Sequence, residues 1–127
     1  MKKLGWCCAI FFGLIIIGSF GKKSSDPPEL KNPRLDAAIM AVYAVKKAQR
    51  NPDSFVLEKA IVTSSSVCLQ WRGQNGFGGM NRGNSVVERS LKFAFNDNEA
   101  GFRAAWNREC ANKAGEDLTR ELQAELR

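Results

Sequence analysis

Three groups of residues in this chain have side chains that could do chemistry: the cysteine pair Cys68 and Cys110, the carboxylates Glu109, Glu116 and Asp117, and a glycine-rich stretch over residues 75–84. What they can do is limited by one compositional fact. The 127 residues contain no histidine. That removes Ser-His-Asp and Cys-His catalysis, imidazole acid–base chemistry, histidine-containing zinc sites and a histidine pH switch. Two thiols alone make a poor metal site, so neither a metal nor a cofactor is expected. The three carboxylates lie close along the chain, which leaves a paired-acid hydrolase open on spacing, although surface helices carry such groups routinely.

The glycine stretch has a sharper pattern. Residues 78–85, GGMNRGNS, approach a P-loop, but Asn84 stands where the phosphate-binding lysine belongs and the following residues read as a strand instead of a helix. Nucleotide binding is therefore not expected. What remains is a turn presenting Asn75, Gly76, Phe77, Gly78, Gly79 and Arg82, with Met80 exposed between the glycines and the arginine. It is either a connection that needs glycine backbone freedom or a contact loop in which Phe77 and Arg82 meet a partner.

These groups must be positioned by a small domain behind a leader. Lys2 and Lys3 precede an uncharged apolar run over residues 4–20, and Lys22 and Lys23 follow it. As a helix the run would be about 26 Å long at 1.5 Å per residue, just short of the roughly 30 Å hydrocarbon layer. The expectation is a signal anchor over residues 1–21, single-pass in the cell membrane with the C-terminal domain outside the cytoplasm. Cleavage near Gly21 and secretion is the alternative. Cys7 and Cys8 follow Trp6 inside the apolar run, the wrong position for a lipoprotein cysteine. Residues 22–33 read as an extended tether, and residues 34–127 as one small α+β domain.

Within that domain Asn32-Pro33 reads as a cap and first turn, and Leu35, Ala38, Ile39, Val42 and Val45 recur at helical spacing. Residues 55–63 and 67–72 read as a strand hairpin joined by Ser64, Ser65 and Ser66. A third strand over residues 85–95 would put Val87, Leu91, Phe93 and Phe95 on one face, and residues 75–84 look too rich in glycine for regular structure. Phe102, Ala105, Trp106 and Cys110 mark a helix ending before Gly115, and Leu118, Leu122 and Leu126 mark another. The expected order is α-β-β-β-α-α, an antiparallel sheet with helices covering one face. Trp71 and Trp106 are read as core residues.

Outside the cytoplasm, Cys68 and Cys110 are expected to be bonded. The pairing demands a particular geometry. Cys68 alternates away from Val67, Leu69 and Trp71, so the helix carrying Cys110 must lie over the Cys68 face.

Charge gives no nucleic-acid signal. Four of the 19 basic residues are the lysines flanking the leader, which leaves 15 against 13 acidic ones, a balance of +2 interleaved along the domain. A nucleic-acid binder needs a basic stripe.

The segments Asn51-Pro52-Asp53-Ser54-Phe55, Val67-Cys68, Gln74-Asn75-Gly76-Phe77-Gly78-Gly79 and Trp106-Asn107-Arg108-Glu109-Cys110 resemble short exported bacterial proteins of uncharacterised function. In these an N-x-F-G-G loop follows a V-C strand, and a later W-N-x-x-C helix supplies a second cysteine. The resemblance covers residues 51–115. It implies the cysteine pairing and a distinct loop, but no activity. The combined expectation is a non-enzymatic, membrane-anchored interaction or accessory module of the cell envelope, contacting the membrane through residues 4–20 and an envelope protein through its loop. A small hydrolase using carboxylates and a cleaved, secreted binding protein are the alternatives, and the oligomeric state is left open.

Overall fold

A computed structural model describes residues 32–127; the leader and most of the tether lie outside the described residues. Helix α1, Pro33–Ala48, starts where the sequence places it. The Asn32 side chain accepts from the backbone N–H groups of Arg34 and Leu35, and Pro33 occupies the first turn, where its missing N–H costs nothing. Asp36 near its start and Lys46 and Lys47 near its end match the helix dipole. A single 3-10 turn, Pro52–Ser54, then redirects the chain.

Five strands form one antiparallel sheet: β1, Val56–Val62; β2, Ser66–Gln74; β3, Met80–Glu88; β4, Ala94–Asn96; and β5, Glu116–Asp117. Their order across the sheet is β4-β3-β2-β1-β5. Helices α2, Phe102–Glu109, and α3, Thr119–Glu125, complete the chain. The α+β class is as expected. Among the described residues no helix is long and apolar enough to cross a membrane; the segment 4–20 lies outside them.

Four expectations need correction, the first being that no strand separates the last two helices: β5 lies between α2 and α3. The third strand is two: the chain reverses between β3 and β4, with Leu91 at φ 61°. Glu88 holds the reversal, its carboxylate accepting from the N–H groups of Ser90 and Lys92 and the hydroxyl of Ser90. Val87 and Phe95 consequently face opposite sides of the sheet, since Val87 pairs with Ala94 and Phe95 with Val86. Nor is the glycine stretch irregular throughout, because β3 begins at Met80. The helices also cover two faces, not one.

On the first face, Ala38, Ala41, Val42 and Val45 of α1 and Leu118 and Leu122 beside and within α3 pack on Leu57, Ala60, Val62, Val67, Leu69 and Val87. Trp71 closes this core. Its ring stacks on Phe55 at 5.9 Å, lies where a Gly83 side chain would be, and donates Nε1–H to the buried Ser85 hydroxyl at 2.8 Å. The second face carries Cys68 and Val86, buried under α2 with Ala105.

Candidate functional site

The β2–β3 hairpin ends in a defined tip. Asn75 N–H donates to the Gly79 carbonyl at 2.7 Å and Gly78 N–H to the Asn75 carbonyl at 3.2 Å, enclosing a loop of Gly76, Phe77 and Gly78. Gly78 sits at φ 84°, the left-handed position that ends such loops and that side chains resist. The Asn75 Oδ1 accepts from the N–H groups of Phe77 at 2.9 Å and Gly79 at 3.0 Å, and its Nδ2 donates to Asn81. One asparagine thus satisfies the tip from within.

A second set of bonds ties the tip to the end of α1. Asn51 Nδ2 donates to Gln74 Oε1 at 2.7 Å, the Ser54 hydroxyl accepts from Gln74 N–H at 2.8 Å, and the Arg50 guanidinium lies against the Gly76 backbone. The Asn51-Pro52-Asp53-Ser54 segment and the glycine loop are therefore one structural unit. On this braced tip Phe77 is fully exposed, at 100%. A large aromatic ring left in water earns no burial, so packing does not explain it.

Arg82 is not at the tip. It lies on β3, opposite Arg72 of β2, which in turn is opposite Val56 of β1. Strand alternation puts Met80 on the same face as Arg82. Glu58 bridges the arginines, its two carboxylate oxygens meeting Arg72 Nε at 2.7 Å and Arg82 Nε at 3.2 Å. Two guanidinium groups share one carboxylate, so the cluster keeps an excess positive charge. Met80 and Val56 flank it, both exposed. Met80 and the arginine pair thus share one face of the hairpin, and Phe77 stands at its tip. Sequence reading found Phe77, Met80 and Arg82 but missed Arg72, Glu58 and Val56; the alternation of residues 70–72 and 80–82 on facing strands is the signal that connects them.

The cysteine pair is bonded, with Sγ atoms 2.02 Å apart and Cα atoms 5.8 Å apart, inside the range a bridge requires. Cys110 caps α2, which lies over the Cys68 face. The geometry that the pairing demanded is met because α2 occupies the face opposite α1. Phe102 and Trp106 meet on it at 5.4 Å, and Arg108 lies 5.7 Å above the Phe93 ring.

The carboxylates do not converge on a cleft. Glu109 accepts from the hydroxyls of Ser65 and Ser66 and from Arg108 Nε, and these bonds, that of Ser65 foremost, hold its carboxyl below the usual range. Asp117 accepts from the hydroxyl and N–H of Thr119, which likewise lowers its pKa. Glu116 pairs loosely with Arg34 at 3.8 Å. A general acid needs its pKa raised, so the two shifts run the wrong way. A depression of about 490 Å³ beside α3 is lined by Asp117, Thr119, Arg120, Glu121 and Gln123, with Asp117 already engaged by Thr119. Among the described residues no three potential ligands cluster to hold a metal ion.

Comparison with known protein families, with curated proteins and with solved structures finds no match.

Proposed function

We propose that this protein is a non-enzymatic interaction module of the cell envelope, anchored in the membrane through residues 4–20 with its domain outside the cytoplasm. Its contact surface is the patch around the β2–β3 hairpin. The observation carrying this reading is the fully exposed Phe77 on a tip fixed by Asn75, Arg50, Asn51 and Ser54. An exposed aromatic on a braced tip, on the same hairpin as arginines and a methionine, has the composition that recurs at the centres of protein interfaces. A disulfide suits an oxidising compartment, and carboxylates engaged by hydroxyls suit binding better than hydrolysis.

The test is capture of partners by the full chain in detergent, compared with Phe77→Ala and Arg82→Ala chains. Both side chains are exposed, so each variant should keep the wild-type melting temperature within the usual narrow range for surface changes. Loss of a reproducible partner at unchanged stability supports the module. Substrate turnover abolished by changing a single carboxylate would replace it with the hydrolase. A C-terminal reporter that works only after export should be active, and an inactive one removes the envelope placement.

A further inference from the structure

The two edges of the sheet are finished differently. On the β1 side, β5 pairs with Ile61 and Val62, and three outward groups of β1 are capped: Ala60 N–H donates to the Thr119 hydroxyl, the Ala60 carbonyl accepts from Leu118 N–H, and the Leu57 carbonyl accepts from Gln123 Nε2. On the other side β4 covers β3 only from Ser85 to Val87. Asn84 is closed by Asp97, whose N–H donates to the Asn84 carbonyl and whose carboxylate accepts Asn84 N–H. Beyond that point the cover stops.

Ladder geometry shows where the remaining groups point. Asn75 and Gly79 form a hydrogen-bonded pair, so Gly73 with Asn81 and Trp71 with Gly83 continue that phase. Met80 and Arg82 fall in the other phase, with Asn84, and direct their N–H and C=O groups away from β2. Among the described residues nothing accepts or donates to them. A native edge is normally shortened, bulged or covered; α3 does this for β1, while residues 80–83 stay open.

Resting on the reading of this patch as a contact surface, we propose that residues 80–83 of β3 receive an extended, acidic peptide strand. The strand adds to the sheet beside β3, exchanging hydrogen bonds with the N–H and C=O groups of Met80 and Arg82. Its alternate side chains then fall on the face that carries Arg72 and Arg82, and carboxylates there complete the arginine pair that Glu58 alone leaves positively charged. Phe77 and Met80 cover the apolar end of the bound strand.

The probe is a seven-residue synthetic peptide alternating glutamate and valine, titrated into the full chain held in detergent. Its lysine–valine counterpart and a copy N-methylated at alternate residues serve as controls. The acidic peptide should bind, weaken as salt is raised, and slow hydrogen exchange at the amides of Met80 and Arg82. The lysine peptide should not bind. N-methylation on the edge that faces β3 should weaken binding about tenfold or more, the scale of a lost hydrogen bond or two. Met80→Pro removes one outward N–H at the first residue of β3 without touching the ladder to β2 and should do the same, whereas Met80→Ala should lose much less. Equal binding of the N-methylated and parent peptides, or unchanged exchange at Met80 and Arg82, refutes strand addition. So does failure of the acidic peptide to bind at millimolar concentration. These outcomes leave the contact-surface reading standing if Phe77→Ala still abolishes partner capture; if that capture survives both Phe77→Ala and Arg82→Ala, the contact surface itself falls.

Discussion

Replacing both Cys68 and Cys110 with alanine opens a cross-link between residues 42 apart in sequence. Chain-entropy reasoning assigns a loop of that length about 4 kcal/mol of stabilisation, by restricting the unfolded chain. The native state gives a second reason for a large effect. Helix α2 has only 8 residues, too short to persist alone, and buries only Ala105. Its end is held to β2 by the bond itself. For a domain of roughly one hundred residues each kcal/mol moves Tm by about 4–8 °C, so the double variant should melt about 16–32 °C lower. Urea unfolding of the full chain in detergent, oxidised, reduced and doubly substituted, measures the change directly. The m-value should rise as the uncrosslinked unfolded state expands. If the double variant stays within about 1 kcal/mol of the wild type, well below the usual range for a native bridge, and the amides of α2 keep their protection, the bond neither limits the unfolded chain nor holds α2.

Gly83→Ala should destabilise by about 1–3 kcal/mol, because the new Cβ would come within 2.7 Å and 2.8 Å of Trp71 ring atoms; urea titration followed by tryptophan fluorescence reads both the loss and the displaced ring. Leu122→Ala, at a side chain only 1% exposed, should cost about 2–5 kcal/mol in the same assay. Leu91→Asn should raise stability by up to about 1 kcal/mol, since Leu91 holds a positive φ that asparagine tolerates better; a lower Tm would show that the leucine side chain contributes more than its backbone costs. Glu109 has a lowered pKa in the fold, so it contributes stability above the unfolded carboxylate pKa that is lost as pH falls through the folded value. Melting between pH 6 and pH 2 should accordingly decline less steeply in Glu109→Gln than in the wild type, with the difference confined to the range below about pH 5.

Legibility in the sequence followed the range of the forces involved. Helix α1 was readable because its cap, proline and apolar spacing are all local to residues 32–48. The pairing of β1 with β2 was readable from alternation. Two errors came from contacts that sequence spacing does not carry. The apolar residues Leu91, Phe93 and Phe95 suggested one strand, but the Glu88 carboxylate gathers the N–H groups of Ser90 and Lys92 and reverses the chain between them. Glycine content suggested an open loop through Asn84, yet Gly83 is a strand residue that makes room for the Trp71 ring. The tip itself was legible from its glycines and Phe77, whereas Arg72 and Glu58 were not, because only the strand register brings them to Arg82. Short β5 was missed for a similar reason: Glu116 and Asp117 have no strand pattern and pair with Val62 and Ile61 only through tertiary docking.

The bonds joining Asn51 and Ser54 to the hairpin, with Arg50 lying against Gly76, make α1 a strut. The tether meets the domain at the start of this helix, and the Phe77 tip is fastened just past its end, so its 16 residues separate the two by about 24 Å at 1.5 Å per residue. If residues 4–20 hold the chain in a bilayer, as proposed, the domain is polar in the mechanical sense, with its attachment at one end of this helix and the fastening of the tip at the other. On the same proposal a tether over residues 22–33 would reach roughly 40 Å if fully extended, and that reach together with the helix would set the working radius of the tip from the membrane surface. Shortening the tether ahead of Asn32 would draw that radius in while keeping the Asn32 cap of α1.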